Sequence, residues 1–175
     1  MRAVRLRPFV SGDLPLVEPW FAEADTQRWL GGPGWPRLVL TGHPLCEYRG
    51  AAETGNYDWL ATDDELVVGY IGCGTYDRWT TWEGGPGGRG VTAAIDVPSA
   101  NVSYVVDPAR RRRGYCVAMI AALLARPELA HVELFAAGVE PANAGSVACL
   151  LTAGFRLADP EPDADGVVYY LHRRG

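Results

Sequence analysis

The chain has 175 residues, 16 of them basic and 21 acidic, for a formal charge of −5. That length carries one domain with a full core, no apolar run is long enough to cross a bilayer, and the acidic balance disfavours non-specific nucleic-acid binding. The opening Met-Arg-Ala-Val-Arg-Leu-Arg-Pro shows no apolar segment of a secretory signal. The expectation is therefore a single domain, 1–175, in the cytoplasm, with no membrane or nucleic-acid partner.

Every basic residue is arginine. With no lysine and no G-x-x-x-x-G-K-[ST], a P-loop nucleotide hydrolase is set aside. Cys46, Cys73, Cys116 and Cys149 form no C-x-x-C pair and have no histidine at metal spacing. They read as buried thiols, and no metal is expected.

Ala3 to Arg7 alternates as a strand and stops at Pro8. Ser11-Gly12-Asp13 offers a cap for a loosely amphipathic helix through Leu14, Leu16, Val17, Trp20 and Phe21, ending near Ala24. Residues 27–36 carry Trp29 and Trp35 among glycines and prolines and read as an irregular covering loop. A short helix around 38–48 is interrupted by Pro44. Tyr57–Ala61 and Leu66–Tyr76 read as strands joined by a polar turn, Thr62 to Glu65. Residues 77–98 read as a long irregular insert and, as such loops are usually functional or disordered, as a flap near a substrate site.

Val102–Val106 is a short apolar strand closed by Asp107-Pro108. Arg110 to Arg113 and Gly114 follow, and then Val117, Ile120, Ala121 and Leu124 at the spacing of one helix face. A helix start offers free N–H groups and a positive dipole end, which together bind anions. Strand, basic loop and helix thus point to a pyrophosphate site. His131–Ala136 reads as a further strand. Asn143 caps a helix with Val147, Leu150 and Leu151 inward, Gly154 ends it, and 155–158 and 167–172 form a last strand pair.

Two motifs at matched separation carry a resemblance. Arg111-Arg112-Arg113-Gly114-Tyr115-Cys116 resembles [QR]-x-x-G-x-[GA], with cysteine at the last position. Asn143, Ser146, Gly154 and Phe155 resemble Asn-x-x-[AS] followed by Gly-Phe. Both are similar to motifs of the GNAT superfamily of acetyl-CoA-dependent N-acetyltransferases. Val4 to Pro8, Gly12 to Leu14 and Trp29 to Gly32 resemble its aminoglycoside and ribosomal-protein N-terminal branches. The fold so implied is α/β (α+β): a mixed, mostly antiparallel sheet, flanked by helices, with one parallel strand–helix–strand crossover.

The resemblance implies acetyl-CoA as donor and direct attack by a primary amine on its thioester. Cofactor-binding residues would be Tyr104, Val105 and Val106 on the strand, Arg111, Arg112, Arg113, Gly114, Tyr115 and Cys116 in the loop, and Asn143 and Ser146. A backbone N–H of Val105 or Val106 is the oxyanion candidate. Many members carry a tyrosine acid seven residues after the Asn; here Leu150 stands there and cannot donate. Ser146 is the candidate donor to the thiolate, and Asp96 the first-choice base among Asp96, Glu83, Asp77 and Glu133. Trp29, Trp35, Asp77, Trp82 and Glu83 are the acceptor-side candidates. The acceptor is a small-molecule amine, aminoglycoside-like, or a peptide N-terminus, and the protein a monomer or homodimer. The alternative is a non-catalytic acyl-CoA-binding or regulatory module on the same fold.

Overall fold

The computed structural model describes residues 3–83 and 90–175, without the side chains of 82, 83 and 91–93. In chain order its elements are β1 (Arg5–Pro8), α1 (Leu14–Val17), α2 (Ala24–Leu30), α3 (Trp35–Thr41), β2 (Glu47–Tyr48), β3 (Ala51–Asp63), β4 (Leu66–Tyr76), β5 (Trp79–Glu83), β6 (Gly90–Ile95), β7 (Ser99–Val106), α4 (Tyr115–Leu124), β8 (Leu134–Val139), α5 (Ala144–Thr152), β9 (Arg156–Leu157) and β10 (Val168–Arg173). They gather into two compact units. One holds Met1–His43, Tyr57–Gly72 and Ser103–Arg126; the other holds Pro44–Asn56, Cys73–Val102 and Pro127–Gly175. Strands β3, β4 and β7 contribute residues to both.

In the first unit β1 pairs antiparallel with β3, from Arg5↔Thr62 to Pro8↔Trp59, and the strand order continues through β4 to β7. The single helix expected from Asp13 to near Ala24 is two pieces, α1 and a 3₁₀ turn, after which α2 begins. Pro19 has no N–H for a helical bond, so Glu18–Ala22 tightens to a 3₁₀ turn. Glu23 is extended, at φ −82° and ψ 131°, and α2 starts afresh. Asp13 is buried but paired: its carboxylate accepts from Arg7 Nη1 and Nη2 at 2.8 and 2.7 Å and from the Val10 N–H at 3.0 Å.

The irregular loop expected over 27–36 is mostly helix. Gln27 to Leu30 close α2, and Trp35 opens α3 with Pro36 in its first turn, where a missing N–H is harmless. Glycines and Pro33 fill only the connection, with Gly31 at φ 142°. Helix α3 ends at Thr41 and not at Tyr48, because Gly42 turns at φ 63°. Trp35 stacks on Phe21 at 5.2 Å and meets Tyr70 edge-on at 5.1 Å. Phe9, Val17, Trp20, Phe21, Leu60, Tyr70 and Val105 form the core beside it.

In the second unit β7 runs parallel to β8 over Ser99–Asn101 against Leu134–Ala136, the expected crossover pairing. Strand β10 lies antiparallel to all six residues of β8 and also pairs with β9. The segment read as an irregular insert contains paired strands instead, while its residues 84–89 lie outside the described residues. Strands β5 and β6 pair antiparallel from Trp79↔Ile95 to Glu83↔Gly90, with an irregularity between Thr81 and Trp82. Trp79, Leu134 and Ala136, with Ile95, Val97, Tyr169 and Leu171, form one core cluster of this unit. The loop that carries Arg49 is tied down by its guanidinium, which reaches Asp165 at 2.6 Å and Tyr169 Oη at 2.7 Å. Burial pushes the Tyr169 hydroxyl up to about 12.

The four cysteines are not alike. Cys73 is buried as expected, whereas the Cys46 thiol is exposed, and Cys116 and Cys149 are disulfide-bonded and not thiols as expected.

Candidate active site

The loop that ends β7 is shaped by its own side chains. Asp107 accepts the Ala109 N–H at 3.0 Å and, through its carbonyl, the Arg110 N–H at 2.8 Å, which closes a 3₁₀ turn over Pro108–Arg110. Two left-handed residues follow, Arg112 at φ 62° and Gly114 at φ 82°. Gly114 is the residue before α4. A Cβ there would meet nothing within 4 Å, so the backbone angle alone calls for glycine, and the space above it is open. The ten-residue helix α4 starts at this point with its first N–H groups directed outward, as at any helix start.

The four arginines divide into two pairs. Arg110 Nε lies 3.0 Å from Asp107 Oδ2. Arg111 Nη2 lies 2.6 Å from Glu23 Oε2 and donates to Thr26 Oγ1 at 2.8 Å, so its charge is engaged on α2. Arg112 and Arg113 are exposed, leaving two cations for an anion at the helix start. The Tyr115 ring is turned inward, its hydroxyl donating to Asp63 Oδ2 at 2.8 Å; its backbone N–H remains part of the helix start. Tyr104 and Val106 are half-buried and Val105 is buried in the core, where its carbonyl lies so close to Gly69 that a Cβ there would fall 2.7 Å from it.

In the second unit Asn143 caps α5, accepting the Ser146 N–H at 3.1 Å. Ser146 is half-buried in the first turn and Leu150 fully buried. Leucine at that position is therefore part of the core, and no acid can act from it.

The acceptor-side candidates fall in both units. Trp29 is half-buried on α2 with the Arg28 guanidinium 4.3 Å from its ring centre, and Trp35 is a core aromatic. Asp77 accepts the Ala52 N–H at 2.8 Å and pairs with Arg78 at 3.1 Å, which holds its carboxyl below the usual range. Asp96 is a solvated side chain, 85% exposed and 3.9 Å from Arg78. The side chains of Trp82 and Glu83 lie outside the described residues. The second unit also has a small, open cleft lined by Tyr48, Arg49, Tyr76, Arg78, Asn101 and Tyr169 among others.

Asp58 is the residue the sequence reading passed over. It stands on β3 between Tyr57 and Trp59, whose rings stack at 5.7 Å, so its side chain leaves by the opposite face. There it accepts a hydrogen bond from the Tyr70 hydroxyl. Burial raises its carboxyl above the ordinary value and the Tyr70 bond lowers it, the first outweighing the second. The available signal was one acid in Tyr57 to Ala61, an otherwise apolar strand segment.

Residues 3–156 match the family described as acetyltransferase (GNAT) domain. The chain belongs to the GNAT acetyltransferase family. This GNAT chain is also 26% identical, over 163 residues, to the uncharacterized N-acetyltransferase YfmK of Bacillus subtilis (strain 168), covering 92% of its own length and 90% of the relative's. Among solved structures it is similar to the aminoglycoside acetyltransferase AAC(6')-Ib in complex with parmomycin and acetyl-CoA, with a TM-score of 0.69 and 16% identity over 98% of this chain and 94% of that one. The aminoglycoside N(6')acetyltransferase of Legionella pneumophila aligns with a TM-score of 0.66 and 14% identity, over 99% and 93%. At such identities the likeness is one of fold. The GNAT acetyltransferase thus has the expected sheet: mostly antiparallel, with one parallel pair and flanking helices.

Proposed function

We propose that the protein transfers acetyl from acetyl-CoA to a primary amine by direct attack, and that residues 1–175 act as one acetyltransferase domain. The observation that carries this is the start of α4, where left-handed Gly114, open space above it and exposed Arg112 and Arg113 suit a pyrophosphate. The backbone N–H groups of Gly114, Tyr115 and Cys116 take the phosphate oxygens. Arg111, engaged by Glu23, holds the loop in shape.

When bound, acetyl-CoA supplies the thioester carbonyl that the amine attacks. Tyr104, Val105 and Val106 lie on the strand assigned to its pantetheine arm, and the Val105 or Val106 N–H is assigned to the oxyanion. Asn143 orients the first turn of α5, from which Ser146 hydrogen-bonds the departing thiolate. A thiolate with an ordinary pKa of about 8.5 also takes a proton from water, so Ser146 assists this step without being indispensable. Asp96, the base expected from the sequence, is 85% exposed, and a solvated carboxylate is a weak base for the acceptor ammonium. Asp96→Asn should leave kcat/KM at pH 7 within about twofold; a loss of about fivefold or more would make Asp96 the base.

The acceptor is a small-molecule amine, in keeping with structural neighbours described as aminoglycoside acetyltransferases, and Trp29 is the wall assigned to it. The proposed setting is cytoplasmic and the state a monomer or homodimer. The test is release of free CoA thiol with a panel of aminoglycosides, simple amines and peptides. Thiol release confined to one class names the acceptor. Tight acetyl-CoA binding with no release from any of them supports a non-catalytic module.

A further inference from the structure

The acceptor amine arrives at neutral pH as an ammonium, and it must lose a proton before its nitrogen can attack. Asp96 is solvated and ion-paired at 3.9 Å, and Asp77 is pinned by Ala52 and Arg78. In the first unit Asp58 has a different environment. It is half-buried on β3, yet among the described residues no arginine or histidine pairs with it. A buried carboxylate without a cation is uncommon, because desolvating the charge is costly unless it is compensated.

The surroundings of Asp58 keep it in place. The Tyr70 hydroxyl donates to Oδ1. Beneath them on β4 lies Gly72, where an added Cβ would run into both the Tyr70 hydroxyl and Asp58 Oδ1. A side chain at 72 would thus push the pair apart. Tyr70 is itself fixed by Phe9 at 5.8 Å and Trp35 at 5.1 Å, both edge-on. The same core cluster includes Val105, on the strand assigned to the thioester. The backbone carbonyl of Asp58 is occupied by the Phe9 N–H at 3.0 Å. Among the described residues Tyr70 is the only titratable group bonded to the carboxylate.

We propose that Asp58 is the proton acceptor of the acetyl-transfer step and the anion that receives the acceptor's ammonium, with Tyr70 as its positioning partner. This rests on the acetyltransferase reading above. In the step, Asp58 Oδ2 takes one proton from R–NH3⁺ and becomes the neutral acid. The freed nitrogen forms the C–N bond to the acetyl carbon, and the thioester C–S bond breaks with its electron pair on sulfur. The new amide nitrogen gives its extra proton to the thiolate, and Asp58 returns the first proton to solvent. A carboxyl held above its ordinary value by burial is better matched to this task than a solvated one.

The experiment is the pH profile of kcat/KM for wild type, Asp58→Asn, Tyr70→Phe and Asp96→Asn, with the best acceptor of the thiol-release panel. Wild-type turnover in that assay establishes the acetyltransferase reading independently. Asp58→Asn should lose at least thirtyfold in kcat/KM at pH 7 and regain much of it at high pH, where free amine is abundant. Its acetyl-CoA affinity should hold within twofold. Its melting temperature at pH 7 should stay level or rise, because an uncompensated buried charge has been removed. Tyr70→Phe deletes the bond that lowers the Asp58 pKa, so its acidic limb should move to higher pH. Asp58→Asn with a wild-type profile overturns the proposal. So does a Tyr70→Phe limb that stays in place while Asp58→Asn loses activity and melts lower, since that pattern marks a structural pair.

Discussion

At the scale of single residues the decisive quantity is how each charge is compensated. Arg110 and Arg111 look like Arg112 and Arg113 in the sequence, but the first two are spent on Asp107 and Glu23. Substituting Arg112 and Arg113 together by alanine should weaken acetyl-CoA binding roughly tenfold or more, about 1.4 kcal/mol, while Arg111→Ala should act first on stability. Titration calorimetry and thermal melts on the same samples separate the two. Asp13 offers a pH test. The Arg7 bonds hold its carboxyl below the ordinary 3.8, so its contribution is present above that value and lost as pH falls through the lowered one. Asp13→Asn should cost about 1 kcal/mol in urea unfolding at pH 7, discounted for the partly exposed Arg7. The difference should shrink below pH 4 or so, as the wild-type carboxyl takes its proton. An equal difference at both pH values would mean that the pair is not electrostatically linked to folding.

At the scale of elements, legibility followed how local the determining signal was. Asn143, its cap bond and Gly154 are local, and α5 and its ends are where they were expected. So are β1, β4 and the start of α4. The segment from Gln27 to Pro36 misled because proline and glycine were weighed as breakers without regard to position: Pro36 sits in a first helical turn, where it is tolerated. The hairpin β5–β6 was hidden for the converse reason. Its pairing is decided by cross-strand neighbours such as Trp79 and Ile95, and a glycine-rich stretch between two short β-branched runs reads equally well as an irregular loop. The pairing of Asp58 with Tyr70 joins residues 12 apart on two strands, and the role of Arg111 depends on a partner far away in the chain. Neither is visible from spacing. Trp35 tests this scale directly. As a core aromatic, Trp35→Ala should cost about 3 kcal/mol of stability. If its main effect were on the acceptor KM, with stability changed by under about 0.5 kcal/mol, the packing assignment would fail.

At the scale of the whole molecule, the two halves of the chemistry are unequally written in the chain. The residues proposed for the donor half are a strand, a loop and a helix start in one unit and the Asn143–Ser146 turn in the other, and each is built by contacts within its own unit. Ser146→Ala should therefore lower kcat and leave acetyl-CoA affinity nearly unchanged. Turnover held within twofold, under about 0.5 kcal/mol of barrier, would make Ser146 a structural residue of the α5 turn. The acceptor half rests on side chains scattered over α2, β3 and the second-unit cleft, which is why the family is plain and the acceptor is a proposal.

The claim on which the rest depends is that acetyl-CoA binds at the start of α4. Gly114 is required there by its backbone angle, and no side chain fills the space above it. Gly114→Ala should cost about 1–2 kcal/mol of stability from the left-handed strain yet keep measurable affinity. Gly114→Glu places a carboxylate where the pyrophosphate is assigned. The direct measurement is calorimetric titration of acetyl-CoA into wild type, Gly114→Ala and Gly114→Glu, each shown folded by circular dichroism. Saturable binding by the first two and none by Gly114→Glu is the predicted result; wild-type affinity in a folded Gly114→Glu would contradict the assignment.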